Sequence, residues 1–178
     1  MECRQPPGLG SRNVSFLFWK IGQSENVFFS RLLSQSRRNS MKTVALFGTF
    51  DFLHAGHIFV LEEAKKLGDK LIVIIAQDHI VEELKGNKPI HDQSERRNLV
   101  AQLAIVDEAL IGDTSLGGYE VLRQVTPAIV AIGYDQQELF DDVSQFIANH
   151  GLTMLVSRLP EYEKPGRKTG KLREAFGV

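Results

Sequence analysis

The sequence is poor in cysteine, tryptophan and long apolar stretches, and these shortages exclude several classes of protein. A single Cys among 178 residues leaves no disulfide framework and no zinc site built on cysteine ligands. The longest apolar runs, such as residues 71–76, are far too short to span a bilayer. The formal net charge is only −1, so no basic excess indicates a nucleic-acid partner. The length suits one α/β domain with a buried core.

Charge is distributed unevenly along the chain. Residues 1–40 contain six basic and two acidic residues, a net charge of +4, which leaves fifteen basic and twenty acidic residues, or −5, for residues 41–178. The first forty residues are rich in Ser and Arg and show no sustained periodicity. We expect them to be a disordered extension, with Met41 as the working start of a cytoplasmic protein. The alternative is a transit peptide for import into an organelle.

From Met41 the sequence alternates between short β-branched runs and amphipathic stretches. Gly68 and Gly151 follow two of these stretches at the position of a helix C-terminal cap. The alternation predicts a single α/β domain over residues 41–178, with a doubly wound, five-stranded parallel sheet that binds ligands at the carboxyl ends of its strands. The predicted strands cover residues 43–47, 71–76, 108–111, 128–132 and 152–156, and the predicted helices cover approximately residues 55–67, 94–103, 119–125, 136–150 and 171–176.

The turn after the first predicted strand has the composition of a phosphate site. Residues 48–51 read Gly-Thr-Phe-Asp, and His54 and His57 flank Gly56 where the next helix begins. Neither G-x-G-x-x-G nor a Walker G-K-[ST] sequence is found at this turn, which weighs against a dinucleotide site and a P-loop. A helix N-terminus attracts phosphate, and two imidazoles three residues apart share one face of the first turn. They can donate hydrogen bonds to phosphate oxygens as negative charge develops.

Two other interpretations of the histidines are open at this point. His54 can cap the helix while His57 packs inside, which is a purely structural role. The pair can also bind zinc, although no third ligand lies at a suitable spacing. We therefore assign no residue as a metal ligand.

Residues 48–57 resemble the GTFD-x-x-H-x-G-H signature of the cytidylyltransferase-like nucleotidyltransferases, and the resemblance extends over residues 42–176. It implies a Rossmann-like fold that transfers a nucleoside monophosphate from ATP or CTP to a phosphate-bearing acceptor and releases pyrophosphate. Class I aminoacyl-tRNA synthetases share an H-x-G-H sequence, but 178 residues leave no room for their other domains. The resemblance makes His54 and His57 catalytic and places Gly48, Thr49, Phe50 and Gly56 in the nucleotide site.

The resemblance also implies further nucleotide-binding residues along the chain. The loop at residues 85–89 holds two lysines, of which the resemblance favours Lys88 as a catalytic cation against the triphosphate. Arg96 matches an arginine at a helix start, and Gly133, Asp135 and Gln136 match a turn that contacts the base and ribose. Asp135 can alternatively, or in addition, cap the following helix. Near the C-terminus, the matching phosphate-binding residues are Thr169, Gly170 and Lys171.

The implied reaction is direct attack by an acceptor phosphate oxygen on the α-phosphorus, with Mg²⁺ accompanying the triphosphate. Residues 85–90 and 133–136 look most like archaeal-type FAD synthetases, so we expect transfer of AMP from ATP to FMN. The alternatives are CMP transfer from CTP to glycerol 3-phosphate or a related alcohol phosphate, adenylyl transfer to a heptose phosphate, and a catalytically silent nucleotide-binding module. We expect no nucleic-acid or membrane partner. Relatives commonly dimerise, so a homodimer is consistent with the resemblance, although the sequence indicates no interface.

Overall fold

The computed structural model of the protein describes residues 41–162. The predictions made for residues 1–40, for a helix at residues 171–176 and for Thr169, Gly170 and Lys171 lie outside the described residues. Residues 41–162 form five strands and five α-helices, with one helix between consecutive strands except between the second and the third strand, where there are two. The strands are β1 (Thr43–Gly48), β2 (Lys70–Ile75), β3 (Glu108–Ile111), β4 (Ile129–Ile132) and β5 (Leu155–Arg158), and the helices are α1 (Ala55–Lys65), α2 (Asp78–Lys85), α3 (Gln93–Ala101), α4 (Glu120–Val125) and α5 (Gln137–Asn149).

The strands form one parallel sheet in the order β3-β2-β1-β4-β5, which confirms the predicted doubly wound architecture. The chain first builds outward from β1 to β2 and β3, and then crosses to β4 on the other side of β1. The winding therefore reverses between β1 and β4, and a crevice opens at such a reversal beyond the carboxyl ends of the strands. Gly48 and Ile132 are the last residues of these two strands.

Both faces of the sheet are buried, which explains why its strands are continuous apolar runs. Side chains alternate across a strand, so Val44 and Leu46 pack into one core while Ala45 packs into the other. The first core includes residues of α1 and α3, and the second includes residues of α4 and α5. Within residues 41–162, no helix is long and apolar enough to cross a membrane.

The structure corrects the predicted role of Gly68. Helix α1 ends with Lys66 as its C-cap in a right-handed conformation, so Gly68 is not the capping residue. A Cβ at Gly68 would lie 2.6 Å from the carbonyl oxygen of Lys42, so glycine is needed there for a close backbone approach.

The structure also corrects the position of the last strand, which covers residues 155–158 and not 152–156. Gly151 is left-handed with φ 61°. The N–H of Gly151 donates to Ala148 O and that of Leu152 donates to Ile147 O, which is the pattern of a Schellman cap. Leu152 therefore belongs to the C-terminal cap of α5 and not to a strand. Helix α2, which the sequence analysis did not delimit, ends at Gly86 with φ 71° in the same left-handed region.

Candidate active site

A cavity of about 460 Å³ lies at the point where the winding of the sheet reverses. Its walls come from the turn after β1, the first turns of α1, the segment that ends α2, and the turn after β4. The structure brings most of the predicted site together here. The predicted residues in its wall are Gly48, Thr49, Phe50, His54, Gly56, His57, Gly133, Asp135 and Gln136.

In the turn between β1 and α1, two residues other than glycine have a left-handed backbone conformation. Phe50 and Phe52 both adopt φ 51°, a left-handed conformation that is rare for bulky side chains and is found mainly at functional sites. Phe50 is nonetheless only 3% exposed, and its ring lies over Gly48. A Cβ at Gly48 would come within 2.9 Å of Phe50 Cδ2. Gly48 therefore leaves space for the ring that fixes the turn.

His54 is the N-cap of α1, and its capping hydrogen bond fixes its protonation. Its Nδ1 accepts from the N–H of Gly56 at 3.1 Å. An accepting Nδ1 carries no proton, so the ring is neutral with its proton on Nε2. Burial also lowers the pKa of His54. The capping role and a donor role are therefore compatible, because the cap selects the tautomer that can donate from Nε2.

His57 is more deeply enclosed and stacks against His54, with ring centroids 3.9 Å apart and planes inclined by 25°. Phe50 covers it at a centroid distance of 5.3 Å. Burial, the nearby His54 and the charge of Lys85 lower the pKa of His57 to about 3, against a smaller opposite effect of Asp51. Among residues 41–162, His57 Nδ1 is the one buried side-chain nitrogen or oxygen without a hydrogen-bond partner. The site thus presents two neutral imidazoles beside a helix N-terminus.

The two lysines of the predicted loop lie in different places. Lys85 is in the cavity wall, and its Nζ donates to Thr49 Oγ1 at 3.0 Å. Lys88 is 75% exposed in its side chain, with its Nζ 3.8 Å from Glu82 Oε2, and it is not among the residues of the wall. The predicted residue was Lys88, whereas the lysine in the cavity wall, whose charge acts on His57, is Lys85.

Arg96 is fully buried and is not in the cavity wall. Its guanidinium donates to the carbonyl oxygens of Thr49 at 2.6 Å, Ala76 at 2.8 Å and His91 at 3.0 Å, and also to the Asp78 carboxylate. Thr49 follows β1 and Ala76 follows β2. His91 lies just before α3, and Asp78 is the first residue of α2. Arg96 therefore joins the segments around the cavity, and this geometry is that of a positioning residue, in contrast to the predicted nucleotide contact.

Asp51 is a wall residue to which the sequence analysis gave no role, although it is the last letter of the GTFD sequence. It is 4% exposed and accepts hydrogen bonds from the N–H groups of Ile90 at 2.9 Å and His91 at 3.2 Å. Nδ1 of His91 lies 3.3 Å from the same carboxylate. Burial acts to raise the pKa of Asp51, but these hydrogen bonds outweigh it and the net pKa is lowered. Asp51 thereby anchors the end of the 86–91 loop.

On the opposite wall, the turn after β4 is held by a side chain of its own. Gln136 Oε1 accepts from the N–H of Gly133 at 3.0 Å, and a Cβ at Gly133 would lie 2.8 Å from that oxygen. Gln136 is the N-cap residue of α5, without a side-chain capping bond. The alternative role of Asp135 as the helix cap is therefore not found, and Asp135 is an exposed residue of the cavity wall.

The described residues give no support to a protein-bound metal centre. Between residues 41 and 162, no three His, Cys, Asp or Glu side chains cluster in a way that could hold a metal ion. Asp51 is already engaged by backbone N–H groups. A zinc site on His54 and His57 thus lacks further ligands in this part of the chain.

Comparison with known proteins identifies the family of the chain. The model of the cytidylyltransferase-like family matches residues 45–174, and the chain belongs to that family. The chain is 39% identical over 126 residues to the FAD synthase of Thermococcus sibiricus, covering 70% of this chain and 85% of that protein. It is 40% identical over 126 residues to the FAD synthase of Thermococcus onnurineus, covering 70% and 84%. A solved structure described as the lipopolysaccharide core biosynthesis protein of Thermoplasma volcanium is 35% identical and superposes with a TM-score of 0.65, covering 70% of this chain and all of that one.

Proposed function

We propose that the protein is an FMN adenylyltransferase, which makes FAD and pyrophosphate from ATP and FMN. A phosphate oxygen of FMN attacks the α-phosphorus of ATP and forms the new P–O bond. The bond from the α-phosphorus to the oxygen that bridges to the β-phosphate breaks, and pyrophosphate leaves with that electron pair. The observation that carries the proposal is the stacked pair of neutral imidazoles at the N-terminus of α1. It is found in a chain that is 39–40% identical, over 126 residues, to two relatives named FAD synthase.

The histidines fit the electrostatic demand of this reaction. Charge accumulates on the oxygens around the α-phosphorus in the transition state, and preorganised donors in a partly buried site stabilise it. His54 donates from Nε2, because its Nδ1 already accepts from Gly56. His57 enters the reaction neutral because of its lowered pKa, and approach of the anionic triphosphate favours its protonation. No Ser or Cys nucleophile is required.

The remaining roles divide between the two walls of the cavity. Lys85 and Lys88 neutralise the β- and γ-phosphates, with Lys85 nearer to the histidines. Gly133, Asp135 and Gln136 contact the base and ribose, as the family resemblance implies. Thr169, Gly170 and Lys171 stay predicted phosphate contacts. The volume of about 460 Å³ falls within the ~300–1,000 Å³ range of small-molecule sites.

Mg²⁺ is expected to arrive bound to the triphosphate. Phosphate oxygens and water supply most ligands of Mg²⁺ in such sites, and the described part of the chain offers no carboxylate cluster of its own. The cytoplasmic location and the homodimer stay predictions.

Transfer of a nucleotide to a sugar phosphate is the second candidate. It is favoured by the likeness to the Thermoplasma protein, whose description refers to lipopolysaccharide core biosynthesis. CMP transfer to glycerol 3-phosphate is the remaining alternative within the family.

The test is pyrophosphate release from ATP or CTP with FMN, a heptose phosphate or glycerol 3-phosphate as acceptor. We expect release with ATP and FMN, at a rate at least about 10²-fold above that of His57→Ala. Release only with CTP, or only with another acceptor, would replace the proposed substrates. An absence of release with every pair would support a silent nucleotide-binding module, and near-normal turnover by His57→Ala would remove the proposed role of that residue.

A further inference from the structure

A second, smaller cavity of about 140 Å³ adjoins the first at the carboxyl ends of β1, β2 and β3. The two cavities share five residues in their walls, which are Phe47, Gly48, Thr49, Lys85 and Gln136. The second cavity therefore adjoins the first along the end of β1, Lys85 and Gln136, and a molecule that reaches into both cavities would pass these shared residues.

The walls of the second cavity are mainly apolar, and they include two exposed leucines. Leu84, in α2, is 58% exposed, and Leu116, in the loop after β3, is 48% exposed. Both line this cavity, together with the more buried Ile74, Ile80 and Tyr119. A lone exposed leucine is ordinary, but two that line one apolar cavity are apolar surface of the kind that a ligand covers.

Polar groups beside the apolar walls are held in place by hydrogen bonds. Gln77 Nε2 donates to Gly112 O at 2.8 Å, and Asp113 Oδ2 accepts from the N–H of Val121 at 3.2 Å. Gln77 and Asp113 both line the cavity. Apolar walls with a few fixed polar groups are the usual composition of a small-molecule site.

We infer that this second cavity is the acceptor subsite and binds the isoalloxazine ring of the flavin, with the flavin phosphate directed past Thr49 and Lys85 into the first cavity. The inference rests on the proposed function and names the part of the chain that selects the acceptor. Glycerol phosphate and sugar phosphates carry no apolar group to cover Leu84 and Leu116, whereas a flavin carries a flat ring system with a polar edge.

The volume sets a limit on how the ring is bound. A cavity of about 140 Å³ is smaller than the ~300 Å³ at the lower end of ligand sites. The ring is therefore only partly enclosed, and the two leucines cover the part that remains outside. Polar substitution of these leucines removes ring contacts while leaving the first cavity unchanged.

The test uses Leu84→Gln and Leu116→Gln, with Leu99→Gln as the control. Leu99 is a leucine of similar exposure, 44%, in α3 and outside both cavities. Binding is measured by quenching of riboflavin fluorescence, because riboflavin has the ring but no acceptor phosphate. We expect both cavity variants to raise the riboflavin Kd and the KM for FMN by about 10-fold or more, with the KM for ATP within about 2-fold. The control is expected to match the native protein.

The outcomes separate this inference from the proposed function. FMN adenylylation by the native protein, with riboflavin binding and the KM for FMN unchanged in both cavity variants, would overturn the subsite and leave the function standing. Loss of riboflavin binding in the variants, in a protein that does not adenylylate FMN, would support the flavin subsite and overturn the function. A native protein that does not quench riboflavin fluorescence would also overturn the subsite. Thermal unfolding of each variant identifies any that fail to fold, and because both leucines are partly exposed we expect native-like values.

Discussion

His57 makes the stability of the protein depend on pH in a way that can be calculated. Its pKa is about 3 in the folded protein and about 6.5 in an unfolded chain. The unfolded state therefore binds the proton more tightly, so the contribution of His57 to stability is fully present above about pH 6.5 and is lost as the pH falls towards 3. Between about pH 7.5 and about pH 5, the loss amounts to ~2 kcal/mol.

The assay is urea unfolding of the native protein and of His57→Asn at the two pH values. Asparagine does not titrate, so the variant lacks this one contribution while other groups affect both proteins alike. We expect the native protein to lose about 2 kcal/mol more than the variant on acidification. Equal losses in the two proteins would show that His57 is not held neutral, and would refute the explanation based on its burial and its charged neighbours.

Three further predictions concern residues around the cavity. Arg96→Met should lower the free energy of unfolding, measured in urea, by about 3 kcal/mol. The reason is that the carbonyl oxygens of Thr49, Ala76 and His91 lose a buried donor. A decrease below about 1 kcal/mol would contradict the positioning role. Gly48→Ala should lower the free energy of unfolding by about 1–3 kcal/mol, because the added Cβ collides with the Phe50 ring. The double variant Gly48→Ala/Phe50→Leu should recover part of that stability. If it recovers none, the collision with Phe50 is not the cause of the loss. Lys85→Met should raise the KM for ATP by about 10-fold in steady-state kinetics, and Lys88→Met should raise it by less. A larger increase for Lys88→Met would assign the main phosphate contact to Lys88.

The fold and the centre of the site could be predicted from sequence because both depend on local patterns. Continuous β-branched runs mark strands buried on both faces, and the alternation with helices fixes a parallel sheet. The histidines are placed by sequence alone, since residues 54–57 begin α1 directly after the first strand. The differences are the helix at Asp78–Lys85, which was not delimited, and the ends of some elements, as at Leu152, where a Schellman cap extends past the glycine.

The residues that sequence analysis missed or placed differently are those whose roles depend on contacts between distant segments. Lys85 and Lys88 are equivalent by spacing, and only the direction in which α2 ends brings Lys85 to Thr49. Arg96 was predicted to contact the nucleotide, because its partners Thr49, Ala76 and His91 come together only when distant segments are assembled. Asp51 accepts hydrogen bonds from Ile90 and His91, which lie 39 and 40 positions later in the sequence. No local pattern could therefore have indicated that contact.

The most direct test of the proposed reaction follows the α-phosphate of ATP. The purified protein is incubated with FMN, Mg²⁺ and ATP labelled with ³²P at the α-position, and the products are separated by chromatography. The account predicts that the label moves into FAD with one pyrophosphate released for each FAD formed. Label that stays in ATP, or that appears only in AMP while FMN is unchanged, would contradict it.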